Sequence, residues 1–477
     1  MPTTIVSRLS TLVVLPCNTF IAMTLEEALQ LVDELLKPHR MSTVQDLVFR
    51  ACWEGQTYQA IAESAGYAHD YIRTAGSQLW QQLSEALEEK ITKNNFQAAL
   101  RDYQRHHGSL PKASIGLEFP TGQVPLESPF YIERLSSEMI NPETEEPLFI
   151  ENQCYRHIQQ PGQLIRIKAP RQMGKTSLMA RILYQAHQQN YQTVALSLQQ
   201  ADLGILKDLD RFLTWFCATV TRDLGLDNKL EEYWDDVFGS NGNCTDYFEH
   251  HILPSLNGPL VLAIDEVDEI FKYPELAFDF LGLLRAWYEK AKYGVSNSSI
   301  WQRLRIVVVH STEVYIPLNV HRSPFNVGFS VELPEFTHDQ VQILAQRHGL
   351  TWSNETETAA VNALMTMVGG YPYLVRLALY HLAQGNQTLA SLLNSAPTDN
   401  GIYQHDLQRR WRHLQQYPKL ADAYGQVVRS SNPIDLDQRL AFELESLGLT
   451  RLTDAGVTPS CQLYRDYFRD RLTPVAS

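Results

Sequence analysis

The chain has 477 residues, of which 44% are hydrophobic and 20% charged, with 24 Gly and 23 Pro. That composition excludes a disordered, collagen-like or low-complexity polymer, and the length allows about three domains of ~150 residues. With 40 Lys and Arg against 54 Asp and Glu the formal net charge is −14, so any contact with nucleic acid must rest on a local basic face. The six cysteines form no Cys-x-x-Cys pair, which argues against a disulfide framework or a zinc site. No apolar run approaches the ~18 residues of a membrane span, so a cytoplasmic protein with no membrane contact is expected.

Residues 1–23 carry one Arg and a short apolar stretch interrupted by Pro16, a poor match to an export signal. They read as a disordered arm or as the product of a start codon assigned too far upstream. Thr24 with Glu27 forms a capping box, and Leu25, Leu29, Val32 and Leu36 make one helical stripe before Pro38. Further helices follow, broken at Gly55 and Gly66, with helix-turn-helix spacing between the helix from Thr57 and the one after it. Residues 24–106 therefore read as an all-α helix-turn-helix module. Between residues 41 and 90 the bases are Arg50, Arg73 and Lys90, against Asp46, Glu54, Glu63, Asp70, Glu85, Glu88 and Glu89. Phosphate neutralisation dominates DNA affinity, so this balance favours docking a protein over reading DNA. Tyr67, Tyr71 and Trp80 are aromatic enough to anchor such a partner, although some of these rings must serve the module's own core.

Residues 107–129 hold four Pro and three Gly in a polar background and read as a linker. From 130 to 336, apolar β-rich runs alternate with helical patterns, the signature of an α/β domain with a parallel sheet. Residues 337–400 return to helices and read as a lid. Residues 401–477 read as a winged helix, with a hairpin around Asp454-Ala455-Gly456. No internal repeat is present in the sequence.

The strongest signal is QLIRIKAPRQMGKTSLMARIL: a strand, then Ala169-Pro170-Arg171-Gln172-Met173-Gly174-Lys175-Thr176-Ser177, then a helix. It matches the phosphate-binding P-loop GxxxxGK[ST] with Ala169 in place of the first Gly. Backbone N–H groups of such a loop cup phosphates at the positive end of the helix, Lys175 reaches the β- and γ-phosphates, and Thr176 ligates Mg²⁺. Because Ala resists positive φ, the loop's first turn must form without a left-handed residue there. Downstream, GPLVLAIDEVDEIF places Asp265 at the C-terminal end of an apolar strand, where it would hold Mg²⁺ with Thr176. Glu266 is positioned to orient or deprotonate a water. Asp268 and Glu269 read more simply as the first turn of the next helix. A third strand, LRIVVVHSTEVY, ends in His310-Ser311-Thr312, where Thr312 would either sense the γ-phosphate or cap the following segment. The expected catalytic set is Glu266, Asp265, Lys175 and Thr312.

Together APRQMGKTSL, LAIDEVDEIF, HSTEVYIPLN, SPFNVGF, GGYPYLVRLALY and PSCQLYRDYF resemble the bacterial AAA-like family, allied to the STAND class of signal-transduction ATPases. The resemblance covers about residues 125–475. The N-terminal module is similar to the one that opens proteins of bacterial conflict systems built around vWA and MoxR partners. The fold implied is an α/β P-loop NTPase with an AAA-like parallel sheet, a helical lid and a C-terminal winged helix. The resemblance also implies that Pro372 of Gly370-Tyr371-Pro372 lies against adenine and ribose, and that Arg376 acts as a second sensor of the phosphates. Phe130-Tyr131-Ile132-Glu133-Arg134 resembles the motif that covers the base, which adds Tyr131 and Arg134 to the nucleotide-binding residues. Arg285 and Arg322 are candidates for completing a neighbour's site, each with a plain alternative as a salt-bridging surface residue.

The function implied is an ATP/ADP·Mg²⁺ switch in signal transduction or defence that self-associates and acts through a separate effector or sensor protein docked on the N-terminal module. The alternative is a DNA-associated ATPase of the origin-recognition or transposition-regulator kind, which the charge balance disfavours.

Overall fold

The computed structural model describes residues 25–36, 41, 43–53, 55–65, 68–87, 89–106, 117–140, 147–292, 298–311, 324–350, 354–385 and 387–472. The expectations for residues 1–24, Gly66, Tyr67, Thr312 and Arg322 lie outside the described residues. The chain divides into two compact units at residues 115 and 116.

The first unit holds helices Leu25–Leu35, Thr43–Trp53, Tyr58–Ala65, His69–Leu87 and Phe96–His106. Gly55 takes a left-handed φ of +84° where the second helix stops, and the Thr57 hydroxyl caps the third by accepting from the Ala60 N–H at 3.2 Å. The core is aromatic. Trp80 and Phe49 lie with ring centroids 4.7 and 5.3 Å from that of Phe96, and the Trp80 indole donates to the Tyr58 hydroxyl at 2.7 Å. Trp80 is therefore a core residue and not an exposed anchor, because its ring and its N–H are both used inside the unit. Tyr71, at 54% exposure, is not among the residues of that core.

The second unit is organised by a five-stranded parallel sheet. Its strands are β3 (Leu164–Lys168), β4 (Gln192–Ser197), β5 (Leu260–Asp265), β6 (Leu304–His310) and β7 (Phe329–Glu332), in the order β4-β5-β6-β3-β7. Every residue of β5 and β6 is buried, as expected of parallel strands covered on both faces. Side chains alternate between two cores. Ile165, Ile167, Ala263 and Val307 point into one, and Leu164, Leu262, Ile264 and Ile306 into the other. The first core is continuous with the lid helices and the C-terminal segment, from Leu178 and Ile182 through Leu374 to Tyr424 and Phe468. A separate antiparallel pair, β1 (Leu135–Ile140) with β2 (Pro147–Phe149), precedes the sheet.

The C-terminal segment contains helices Gln404–Gln416, Pro418–Arg429, Gln438–Ser446 and Gln462–Arg471. The hairpin expected near Asp454 is β8 (Thr450–Thr453) with β9 (Gly456–Pro459), and Ile434 bridges Val457 on its outer side. Gly456 has φ +125°, and a Cβ there would fall 2.7 Å from the Ile434 carbonyl, so this corner requires glycine.

Part of the expected linker belongs to the second unit. Residues 117–129 pack on the P-loop helix Lys175–Gln188: the Val124 N–H donates to the Ser177 hydroxyl at 2.9 Å, and Arg181 donates to the Val124 and Pro125 carbonyls. Pro and Gly here shape a fixed wall, whose backbone groups are satisfied by that helix and not by water alone.

Candidate nucleotide site

The loop from Ala169 to Lys175 joins β3 to its helix. Ala169 is fully buried, and the left-handed residues are Gln172 (φ +70°) and Gly174 (φ +98°). The turn that a first-position glycine would ease is thus made further along, at a glutamine held by other means. Its amide donates to Asp406 at 2.9 Å and accepts from Arg410 at 2.8 Å, both on helix Gln404–Gln416. The Arg171 N–H also donates to the Ser446 carbonyl at 3.1 Å. The C-terminal segment therefore grips the loop directly.

Lys175 points back into the loop and donates to the Ala169 and Pro170 carbonyls at 2.8 and 3.1 Å. Burial lowers its pKa to about 8, against the opposing pull of Asp268 and Asp265. Thr176 donates from its hydroxyl to Asp265 at 2.9 Å, so the two residues expected to share a cation meet. A hydroxyl beside a carboxylate is the hard-oxygen donor set that Mg²⁺ takes alongside phosphate oxygens. Among the described residues no cluster of three or more His, Cys, Asp or Glu is arranged for a metal.

Glu266 follows Asp265 in a left-handed conformation (φ 56°, ψ 41°), uncommon for a residue with a side chain. That turn sends its carboxylate to Ser197 at the tip of neighbouring β4, whose hydroxyl donates to it at 2.5 Å. Ser197 sits in register with Asp265. Burial raises the Glu266 pKa, Asp265 adds to the rise and Ser197 opposes it. Asp268, expected only in a helix's first turn, accepts the Ser311 N–H on both carboxylate oxygens at 2.8 Å and ties the ends of β5 and β6 together. His310 is buried, with its ring 4.8 Å from that of Phe325.

Beside the loop lies a cavity of about 570 Å³, lined by Gly174–Ser177 and by Tyr131, Pro372 and Arg376. The Tyr131 hydroxyl donates to the buried Glu151 at 2.6 Å, and the Arg181 guanidinium lies 3.4 Å over its ring. Burial drives the Tyr131 phenol far above its ordinary value, and Glu151 adds to that. Pro372 starts its helix just after Gly369 and Gly370. A Cβ at Gly370 would meet the Phe336 carbonyl at 2.4 Å, and the Gly370 carbonyl accepts from the Phe336 N–H at 2.8 Å. This glycine lets the lid backbone dock flush on the strand-exit segment.

One expectation is corrected. Arg134 does not line the cavity. It is buried behind the P-loop, where it donates to the Met173 carbonyl at 3.3 Å and lies 4.0 Å over the Phe336 ring, and burial lowers its pKa to about 10. Its role is to brace the loop. For Arg285 the salt-bridging alternative holds: it is largely buried and pairs with Glu289 one helical turn away at 2.5 Å. Arg376 does reach the cavity, yet its guanidinium is engaged by Glu118 at 3.0 Å. Sequence reasoning missed Glu118, Ser197 and the wall from Phe119 to Val124. It also missed His405 and Arg409, which reach the cavity from helix Gln404–Gln416. Their signal is tertiary: no spacing in the chain links them to the loop.

A parallel sheet with a P-loop at the C-terminal end of β3 and an Asp-Glu pair at the end of β5 defines a P-loop NTPase fold of the AAA-like type. The chain belongs to the AAA-like domain family, whose model matches residues 119–470. Residues 23–103 match the N-terminal helix-turn-helix of vWA-MoxR associated proteins. A curated relative, an uncharacterised WD repeat-containing protein of Synechocystis, is 23% identical over 223 residues, 46% of this chain; the chain spans 18% of that relative's length. Similar solved structures include a Walker-type ATPase of Pyrococcus abyssi (13% identity, 71% of this chain and 99% of that one, TM-score 0.45). Others are Aeropyrum pernix ORC1 in complex with DNA (13%, 68% and 95%, 0.37) and AMPPCP-bound DnaA from Aquifex aeolicus (11%, 59% and 72%, 0.31).

Proposed function

We propose that the chain binds ATP with Mg²⁺ in this cavity and hydrolyses it slowly, as a STAND-like switch that self-associates and acts through a separate partner. The observation that carries the reading is the meeting of Thr176 and Asp265 at 2.9 Å beside the buried loop lysine, with Glu266 next in the chain. Mg²⁺ held by Thr176 and Asp265 would neutralise charge on the phosphates. Lys175 contributes a cation in a water-poor setting, where electrostatic stabilisation is strongest. The carboxylate of Glu266, its pKa raised by burial, is suited to accept a proton from an attacking water, and the hydrogen bond from Ser197 fixes its direction.

The switch part of the proposal is supported by the links from the P-loop to the C-terminal segment. Burial alone would raise the Asp406 pKa, but Arg410, Arg409 and the Tyr464 hydroxyl hold it below its ordinary value, so Gln172 meets a fixed anionic acceptor. Any shift of the loop on phosphate binding would strain these bonds and bias helix Gln404–Gln416 between two positions.

Glu266→Gln keeps the shape of the side chain and loses the base. Hydrolysis should fall by about 100- to 1,000-fold, within the usual range for a general base, while ATP affinity stays within about threefold. The variant should also accumulate an ATP-dependent larger species by light scattering. Wild-type turnover in this variant would remove Glu266 from the mechanism.

A further inference from the structure

A second cavity, of about 380 Å³, adjoins the nucleotide cavity, and both are lined by Gln172 and Arg409. Most of the remaining lining is basic: Arg171 comes from the P-loop, and Arg410, Arg412 and the imidazole of His413 come from helix Gln404–Gln416, with Gln416 and Leu447 beside them. Arg409, Arg412 and His413 recur three and four residues apart and so share one helix face. Asp406 partly offsets this charge, but it is buried and committed to Arg409, Arg410 and Tyr464. Glu443 is paired with Arg439 at 3.0 Å. Among the described residues neither Arg171 nor Arg412 has an ion-pair partner. Burial lowers the His413 pKa, and Arg171 and Lys272 push it further in the same direction against Glu443, an independent sign that the local field is positive. On a chain with net charge −14, such a concentration of guanidinium groups is a localised anion trap.

We infer that this second cavity is a site for a tetrahedral phosphate group, and that its ligand is the inorganic phosphate released when the nucleotide is cleaved. The inference rests on the nucleotide reading given above. In that cleavage the water oxygen bonds to the terminal phosphorus as the bond from that phosphorus to the bridging oxygen breaks. ADP leaves with the bridging oxygen and its electron pair, and the water's proton passes to Glu266. The freed phosphate carries at least two charges and lies beside Lys175. Arg409 borders both cavities, so its guanidinium can contact the anion on either side. Planar guanidinium forks match phosphate oxygens in pairs. Arg410 has its fork turned to Asp406 and Gln172 and one Arg409 nitrogen bonds Asp406, which leaves Arg171, Arg412 and the remaining Arg409 nitrogens as donors. At about 380 Å³ the cavity is large enough for a phosphate with part of its hydration shell. Leu447 closes one side, and the Arg171 N–H to Ser446 bond anchors that wall, so the space does not suit a nucleic-acid duplex.

The test uses the full chain saturated with ADP·Mg²⁺, so that the P-loop is filled, and titrates inorganic phosphate by calorimetry. Arg412→Glu and Arg412→Gln alter a side chain that lines the second cavity alone. Phosphate affinity should fall about tenfold or more, the scale of one charged hydrogen bond, while ADP affinity stays within about twofold. In a single turnover, phosphate release read by a fluorescent phosphate sensor should lag cleavage read by acid quench, and the lag should shrink in both variants. Unchanged phosphate affinity in the variants overturns the inference. So does a result in which a short single-stranded oligonucleotide, and not free phosphate, loses affinity with Arg412. A wild-type chain that takes up no ADP overturns the nucleotide reading alone; phosphate titration of Lys175→Ala, which leaves the second cavity intact, then tests that cavity directly.

Discussion

The two ends of the nucleotide cavity are built in different ways. At the phosphate end, nine consecutive residues from Ala169 to Ser177 and the tips of β4, β5 and β6 supply nearly everything, and strand register fixes their spacing. At the other end the wall is gathered from Phe119–Val124, Tyr131, Pro372–Arg376 and helix Gln404–Gln416. Those segments are far apart in the chain and are held together by tertiary links such as Glu118 to Arg376 and Gln172 to Asp406. The first end is a local motif, carried by consecutive residues and strand tips. The second is a tertiary assembly, and the switch proposed above would act through it.

The sharpest way to break the comparison is at the local end. Lys175→Ala removes the only lysine in the loop and should weaken ATP binding by about 100-fold, equivalent to ~2.7 kcal/mol and within the range of a charged hydrogen bond. Fluorescent-nucleotide titration reads this directly. An affinity within threefold of wild type would place the nucleotide elsewhere.

The same lysine gives the next largest effect without mutation. Its pKa in the folded protein is about 8, well below its ordinary value of 10.5, because burial disfavours its charge. Below that pH it is charged and attracts phosphate fully. Above it, binding must first return a proton. ATP affinity should therefore be flat from pH 6.5 to 7.5 and fall about tenfold by pH 9, following linkage at roughly tenfold per pH unit. A flat profile to pH 9.5 would show that Lys175 keeps its proton in the free protein.

Glu118→Ala probes the assembled end. It leaves the buried Arg376 guanidinium without its carboxylate, and because Glu118 is about one-third exposed the expected cost is modest, about 1–2 kcal/mol. ATP affinity should drop about fivefold, measured in the same titration, with the loss reduced in the double variant with Arg376→Ala if the two act as a pair. No change in either stability or affinity would mean that the Phe119–Val124 wall is held by its bonds to Ser177 and Arg181 alone.

How much of this could be read from the sequence follows the same division. Lys175, Thr176 and Asp265 were legible because a P-loop and a strand-end acid are short patterns whose chemistry is carried by their spacing. Glu266 was legible as a neighbour of Asp265, but not the left-handed turn that aims it at Ser197, which depends on strand order. Tyr131, Pro372 and Arg376 came through family resemblance, and they do border the cavity, whereas Arg134 lies behind the loop. The segment from Leu117 to Pro129 was misread because Pro and Gly mark loops without saying whether a loop is solvated or packed. His405 and Arg409 carry no local signal at all, since only the fold of the last segment brings that helix to the loop.

The smallest expected effect lies in the N-terminal unit, where the question is which aromatic rings face a partner. Trp80 and Tyr71 stand on the same helix, His69–Leu87, and the sequence offered both as anchors. They separate cleanly in the structure: Trp80 is 6% exposed, hydrogen-bonded to Tyr58 and packed on Phe96, while Tyr71 is 54% exposed. Next to Tyr71, Asp70 lies 3.2 Å from Arg73 and 3.8 Å from His69, so an acid offsets the basic groups that this face could offer a polyanion. Trp80→Ala should cost about 3–5 kcal/mol by opening a cavity in the core, and would report only on folding. Tyr71→Ala should leave stability within about 0.5 kcal/mol, as for most surface substitutions, and ATPase activity within about twofold. What it should remove is recruitment of a protein partner, because an exposed aromatic ring on a charge-balanced helix face supplies the kind of anchor that protein interfaces bury. Salt-sensitive binding of duplex DNA that is lost in Arg73→Ala and kept in Tyr71→Ala would reverse this assignment and make the helix a nucleic-acid reader.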